Sequence, residues 1–123
     1  MAETQELQPQ KSQPQSLPEI NSILPPPHPD DIRVAKEVAK GANQTPFKLA
    51  LTRAFINPDP HLVNAALSVR SDLPLPYRLT ILALTFENLA KEYEENSRIK
   101  EGMEAREKAK MLIEEARKLF DQK

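Results

Sequence analysis

The chain has no cysteine and no tryptophan, and it holds only two glycines and two histidines among 123 residues. Without cysteine there is no disulfide framework, no thiolate metal site and no thiol nucleophile, and such a composition fits a reducing, cytoplasmic setting. Gly41 and Gly102 stand far apart, so no glycine-rich loop is present to cradle a phosphate or a dinucleotide. His28 lies among prolines and His61 directly follows Pro60, and neither has the neighbouring ligands a metal centre needs. Neither Ser68 nor Ser71 sits in a glycine-flanked elbow with a base beside it. These absences together lead us to expect a protein that is not an enzyme and takes neither cofactor nor metal.

Two further features are missing. No apolar run approaches the roughly 18 residues of a membrane span, and the N-terminus lacks the basic start and apolar stretch of a secretory leader. Excess charge is absent as well: 17 basic and 18 acidic side chains leave a formal net charge of -1. A dedicated nucleic-acid binder carries a strong basic bias, so nucleic acid is disfavoured as a partner.

Proline is what the chain has in quantity. Six of its twelve prolines fall in residues 1–28, with five glutamines and no aromatic side chain. Such a segment buries too little apolar surface to offset the roughly 1–2 kcal/mol per residue of backbone entropy lost on ordering, so residues 1–28 are expected to form a disordered Pro/Gln-rich arm. Within it, Leu17, Ile20, Ile23 and Leu24 recur at spacings of three, three and one, one face of a short helix that Pro25-Pro26-Pro27 ends. These four residues either lie against the domain's own core or dock on a partner groove.

Residues 29–123 are expected to be one all-α domain, a small five-helix bundle that ends in a long antiparallel helical hairpin. Pro29-Asp30-Asp31 opens a helix near 30–40, with Gly41 just past its end, because a first-turn proline lacks only an N–H that is unpaired there anyway and the helix dipole favours carboxylates. Thr45-Pro46 and Asp59-Pro60 each read as an N-cap followed by proline at the first helical position, giving helices near 46–56 and 60–69. A longer helix near 76–96 is apolar almost all round in its first half, through Leu79, Ile81, Leu82, Ala83, Leu84 and Phe86, and is expected in the middle of the domain. Its second half narrows to a stripe ending in Leu89 and Tyr93.

A further stripe, Ala105, Ala109, Leu112, Ala116 and Leu119, marks a helix near 103–121. From Tyr93 to Ala109 at 100° per residue the two stripes fall about 160° out of register, so a single straight helix would point them in nearly opposite directions. A break at Asn96-Ser97 or at Gly102, the latter preferred, folds the two segments into a hairpin. A continuous helix would instead make the protein an oligomer.

Such a shape points to a non-catalytic protein–protein interaction module, an adaptor, regulatory or assembly subunit that binds a protein partner or itself. Its expected contacts are Leu17, Ile20, Ile23 and Leu24 on the arm and Tyr93, Ile99, Met103, Leu112, Ile113 and Phe120 on the hairpin. Docking is expected to be apolar rather than electrostatic, since charge is balanced in sign. The alternative is a small helical DNA-binding regulator that uses helices 46–56 and 60–69 as a helix-turn-helix, with Asn64 and Ser68 facing base edges.

Overall fold

A computed structural model describes residues 18–70 and 72–121. Among them are six helices: α1 (Pro18–Ile23), α2 (Pro29–Gly41), α3 (Pro46–Phe55), α4 (Pro60–Ser68), α5 (Leu75–Glu95) and α6 (Ile99–Asp121). No strand occurs in the described residues. The all-α bundle with its terminal hairpin is as the sequence implies, and the long-helix alternative is excluded, since α5 and α6 pack along one another.

The proline-marked starts form as read. Thr45 caps α3 by accepting from the Lys48 N–H at 3.2 Å, and Asp59 caps α4 by accepting from the N–H groups of His61 and Leu62 at 3.2 and 3.3 Å. His28 supplies the equivalent cap for α2, its Nδ1 accepting from the Asp30 N–H at 3.0 Å. Each cap satisfies a first-turn donor that has no partner within the helix.

Helix ends depart from expectation at both glycines. Helix α2 includes Gly41, and the residue that takes the left-handed conformation beyond it is Asn43, with φ 60°. The Gln44 N–H then reaches back to the Ala39 carbonyl at 2.7 Å. The same closure ends α5. Ser97 has φ 62°, and the Arg98 N–H bonds to the Tyr93 carbonyl at 2.7 Å. Both are Schellman turns, with asparagine and serine in the position glycine usually fills.

The hairpin therefore breaks at 96–98, and Gly102 lies inside α6, not at the break. Its role is approach. A Cβ built on Gly102 would stand 2.9 Å from Glu94 Cγ and 3.2 Å from the Ala90 carbonyl oxygen, so the missing side chain lets α6 pass close to α5. Small residues extend that seam, with Ala83 and Ala90 on α5 facing Ala105, Ala109 and Ala116 on α6, and Leu79, Leu82, Phe86 and Leu112 filling it. Outside the seam, Arg106 forks onto Glu94 with two 2.8 Å hydrogen bonds, and Arg98 lies over the Tyr93 ring at 4.9 Å.

The centre of the domain is shared by the first half of α5, which packs on α3, α4 and α6, and by α4. Five consecutive α4 residues, Val63 to Leu67, are buried, because α2, α3 and α5 all pack against this short helix. Its small side chains at Ala65 and Ala66 allow three neighbours at once.

The domain also begins earlier than residue 29. Ile20 and Ile23 pack against the core, Leu24 is only 6% exposed, and α1 lies on α6. Residues 18–28 therefore lie on the folded unit, with Ile20, Ile23 and Leu24 as their apolar contacts and the Pro25 carbonyl accepting from Asn64. The expectation for residues 1–17 lies outside the described residues.

Candidate functional site

The predicted contact residues separate into three groups. Leu24 and Leu112 are core, Leu112 with no exposure at all, so neither is an accessible contact. Ile20, Ile23, Tyr93 and Ile113 are half-buried and pack against the core cluster. Ile99, Met103 and Phe120 are 55%, 65% and 38% exposed. Leu17 lies outside the described residues.

The three exposed residues share one face of α6. Written along the helix from its observed start, Ile99, Met103, Arg106, Lys110, Ile113, Arg117 and Phe120 recur at spacings of four and three throughout, the spacing of a helix–helix seam. This second stripe lies about 100° round the helix axis from the stripe of Ala105, Ala109, Leu112 and Ala116 that packs on α5. All its members are exposed except Ile113, which is half-buried. Helix α6 therefore has two seams, one filled by α5 and a second that α5 meets only along its near edge, at Arg106, Ile113 and Phe120, leaving Ile99, Met103, Lys110 and Arg117 outward.

The open seam ends in a shallow groove of about 190 Å³ lined by Thr80, Ile113, Ala116, Arg117 and Phe120. Tyr77 closes that end, its ring meeting Phe120 edge-on at 5.4 Å and 69°. Exposed aromatic rings beside a groove are the anchors protein interfaces favour.

Charge on this face leans basic, although the chain as a whole is balanced. Arg106, Lys110 and Arg117 lie in the seam, and Asp121, about five turns beyond Met103, stands on its outer edge at the C-terminal end. The fork onto Glu94 raises the Arg106 pKa and lowers that of Glu94 below its ordinary range, through the hydrogen bonds first and the opposite charges second. Lys110 and Arg117 form no ion pair among the described residues. Carboxylates flank the seam: Glu107, Glu114 and Asp121 along its outer side on α6, and Glu87 and Glu94 on α5.

The three cations were missed in the sequence. Their signal was the four-three spacing itself, but placing the helix start at 103 instead of Ile99 removed the first turn of the stripe. The apolar members then looked like scattered residues.

A second polar cluster lies inside the bundle. The half-buried Arg78 donates through Nη2 to Asn64 Oδ1 at 3.2 Å and to the Ser68 hydroxyl at 3.0 Å, and burial lowers its pKa from the ordinary arginine value. Asn64 Nδ2 in turn donates to the Pro25 carbonyl at 3.5 Å, tying the segment after α1 to α4. Asn64 and Ser68 are thus internal partners and reach no base edge. The helix-turn-helix arrangement fails for that reason, with α4 enclosed by its neighbours where a recognition helix must stand free.

Among the described residues no three histidine, aspartate or glutamate side chains converge as a metal ligand set, and no helix is long and apolar enough to cross a membrane. No family model, curated protein or solved structure matches the chain.

Proposed function

We propose that the protein is a non-catalytic protein–protein interaction module, an adaptor or assembly subunit of the cytoplasm, whose binding surface is the open seam of α6. The observation that carries this reading is the second heptad-spaced stripe from Ile99 to Phe120, exposed at every position but Ile113, beside a first stripe already used to fold the hairpin. A seam of that length runs about 32 Å at a 1.5 Å rise per residue, enough to seat a partner helix of some three heptads. Exposed apolar side chains aligned along a helix are costly to solubility unless a partner covers them.

Folding and binding use different faces of α6. Substitutions at the exposed seam positions Ile99 and Met103 are therefore expected to remove binding without unfolding the chain. The test is affinity capture from native cell extract with the wild-type chain and with an Ile99→Asp, Met103→Asp double variant, both substitutions at exposed positions, alongside thermal unfolding of both. Loss of a retained protein from the variant at an unchanged Tm supports the reading, and retention of the same protein by both chains removes α6 from it.

A further inference from the structure

We propose that the occupant of the α6 seam is an acidic amphipathic helix, a partner segment with apolar residues at heptad spacing and carboxylates placed to meet Lys110 and Arg117. The proposal rests on the binding-module reading above and adds the chemistry of the partner.

The apolar and charged positions of the seam alternate in blocks. Ile99 and Met103 are followed by Arg106 and Lys110, then Ile113, Arg117 and Phe120. A helix laid along it sets its own apolar seam against the isoleucines, Met103 and Phe120. The positions opposite the cations then fall where an apolar side chain would strip an ammonium or guanidinium of water without a partner, and a carboxylate relieves that cost. Lys110 and Arg117 have no ion pair of their own among the described residues, so their charge is open to an incoming acid.

Charge disfavours a second copy of this chain in the same seam. Two α6 helices laid antiparallel about the middle of the stripe bring Lys110 onto its own counterpart, a like-charge contact at the centre of the interface. Anionic lipid is disfavoured for a different reason. Glu107, Glu114 and Asp121 flank the seam on one side and Glu87 and Glu94 on the other, so a broad anionic surface meets as many acids as bases, whereas a single helix touches only the central stripe. Nucleic acid meets the same flanking carboxylates.

The experiment uses two synthetic helices of about 21 residues, three heptads each. Both carry leucine at the two seam positions of every heptad, and they differ only in having glutamate or lysine beside the seam. Affinity of each for the full chain is read by fluorescence anisotropy. The wild-type chain is expected to prefer the glutamate helix by about tenfold or more, given two partly desolvated ion pairs. A Lys110→Glu, Arg117→Glu variant is expected to reverse that preference. Both substitutions lie at exposed positions, and circular dichroism checks that helix content is retained.

Equal binding of the two helices by the wild type, preference for the lysine helix, or no binding of either up to about 100 μM overturns the proposal. So does retention on phosphatidylserine vesicles that the charge-reversed variant loses, or a wild-type dimer in sedimentation that the variant abolishes. The two readings fail separately. If the Ile99→Asp, Met103→Asp chain loses the captured partner while the charge-reversed chain keeps it, the seam is the binding surface and its acidic occupant is wrong.

Discussion

Replacing Ser97 with glycine tests the hairpin at the residue that makes it. Ser97 closes the turn between α5 and α6 at φ 62°, in the left-handed region where an L-residue with a side chain pays about 1–2 kcal/mol. Glycine takes that conformation without penalty but loses about 0.5–1 kcal/mol more backbone entropy on folding. The difference leaves a net stabilisation of about 0.5–1 kcal/mol. In a continuous helix the sign is opposite, because glycine is a poorer helix former than serine by about 0.5 kcal/mol. Urea unfolding followed by far-ultraviolet circular dichroism reads the change, expected as a midpoint about 0.5 M higher at an unchanged slope of roughly 1–2 kcal/mol per M. A lower midpoint for Ser97→Gly refutes the turn.

Three further outcomes follow from the same packing. Gly102→Ala improves helix propensity by about 1 kcal/mol but drives a Cβ against Glu94 Cγ and the Ala90 carbonyl, so thermal unfolding should show a net loss of about 1 kcal/mol. Leu112→Asp places a carboxylate at a fully buried position and should abolish cooperative unfolding altogether, whereas Leu112→Ala costs about 2–5 kcal/mol and leaves a folded chain. Glu94 is held below the ordinary glutamate value of 4.5 by Arg106, so the stability it contributes is present above that value and is lost as pH falls through the lower folded one. A carboxyl-carbon NMR titration should find its midpoint below that ordinary value, and Arg106→Gln should return it upward.

What the sequence reveals about this fold is mainly what its prolines and small polar residues dictate locally. Thr45-Pro46 and Asp59-Pro60 can be read as helix starts because the cap and the fixed proline dihedral both act within three residues. Gly102 misleads for the converse reason. A glycine in a helix looks like a break when only propensity is considered, and its true cause is a neighbouring helix at van der Waals distance. The burial of α4 is hidden likewise, since nothing in Val63-Asn64-Ala65-Ala66-Leu67 distinguishes a helix with one partner from a helix with three. Leu24 was counted with a proline-rich arm whose composition disguises a buried anchor.

The site was half legible. Ile99, Met103 and Phe120 stand out as apolar residues outside the seam of α5 and α6. The intervening cations gain meaning only when the helix start at Ile99 fixes which residues share a face. Charge balanced over the whole chain says nothing about charge sorted by face, and the expectation of purely apolar docking came from the total.

The most direct test of the binding surface is heteronuclear NMR of the labelled full chain titrated with the glutamate-bearing helix. The account predicts that the perturbed resonances lie along Ile99, Met103, Lys110, Ile113, Arg117 and Phe120, with those of α2, α3 and α4 unmoved. Perturbations confined to α2–α4, or spread over the core residues Leu112 and Leu67, would contradict it.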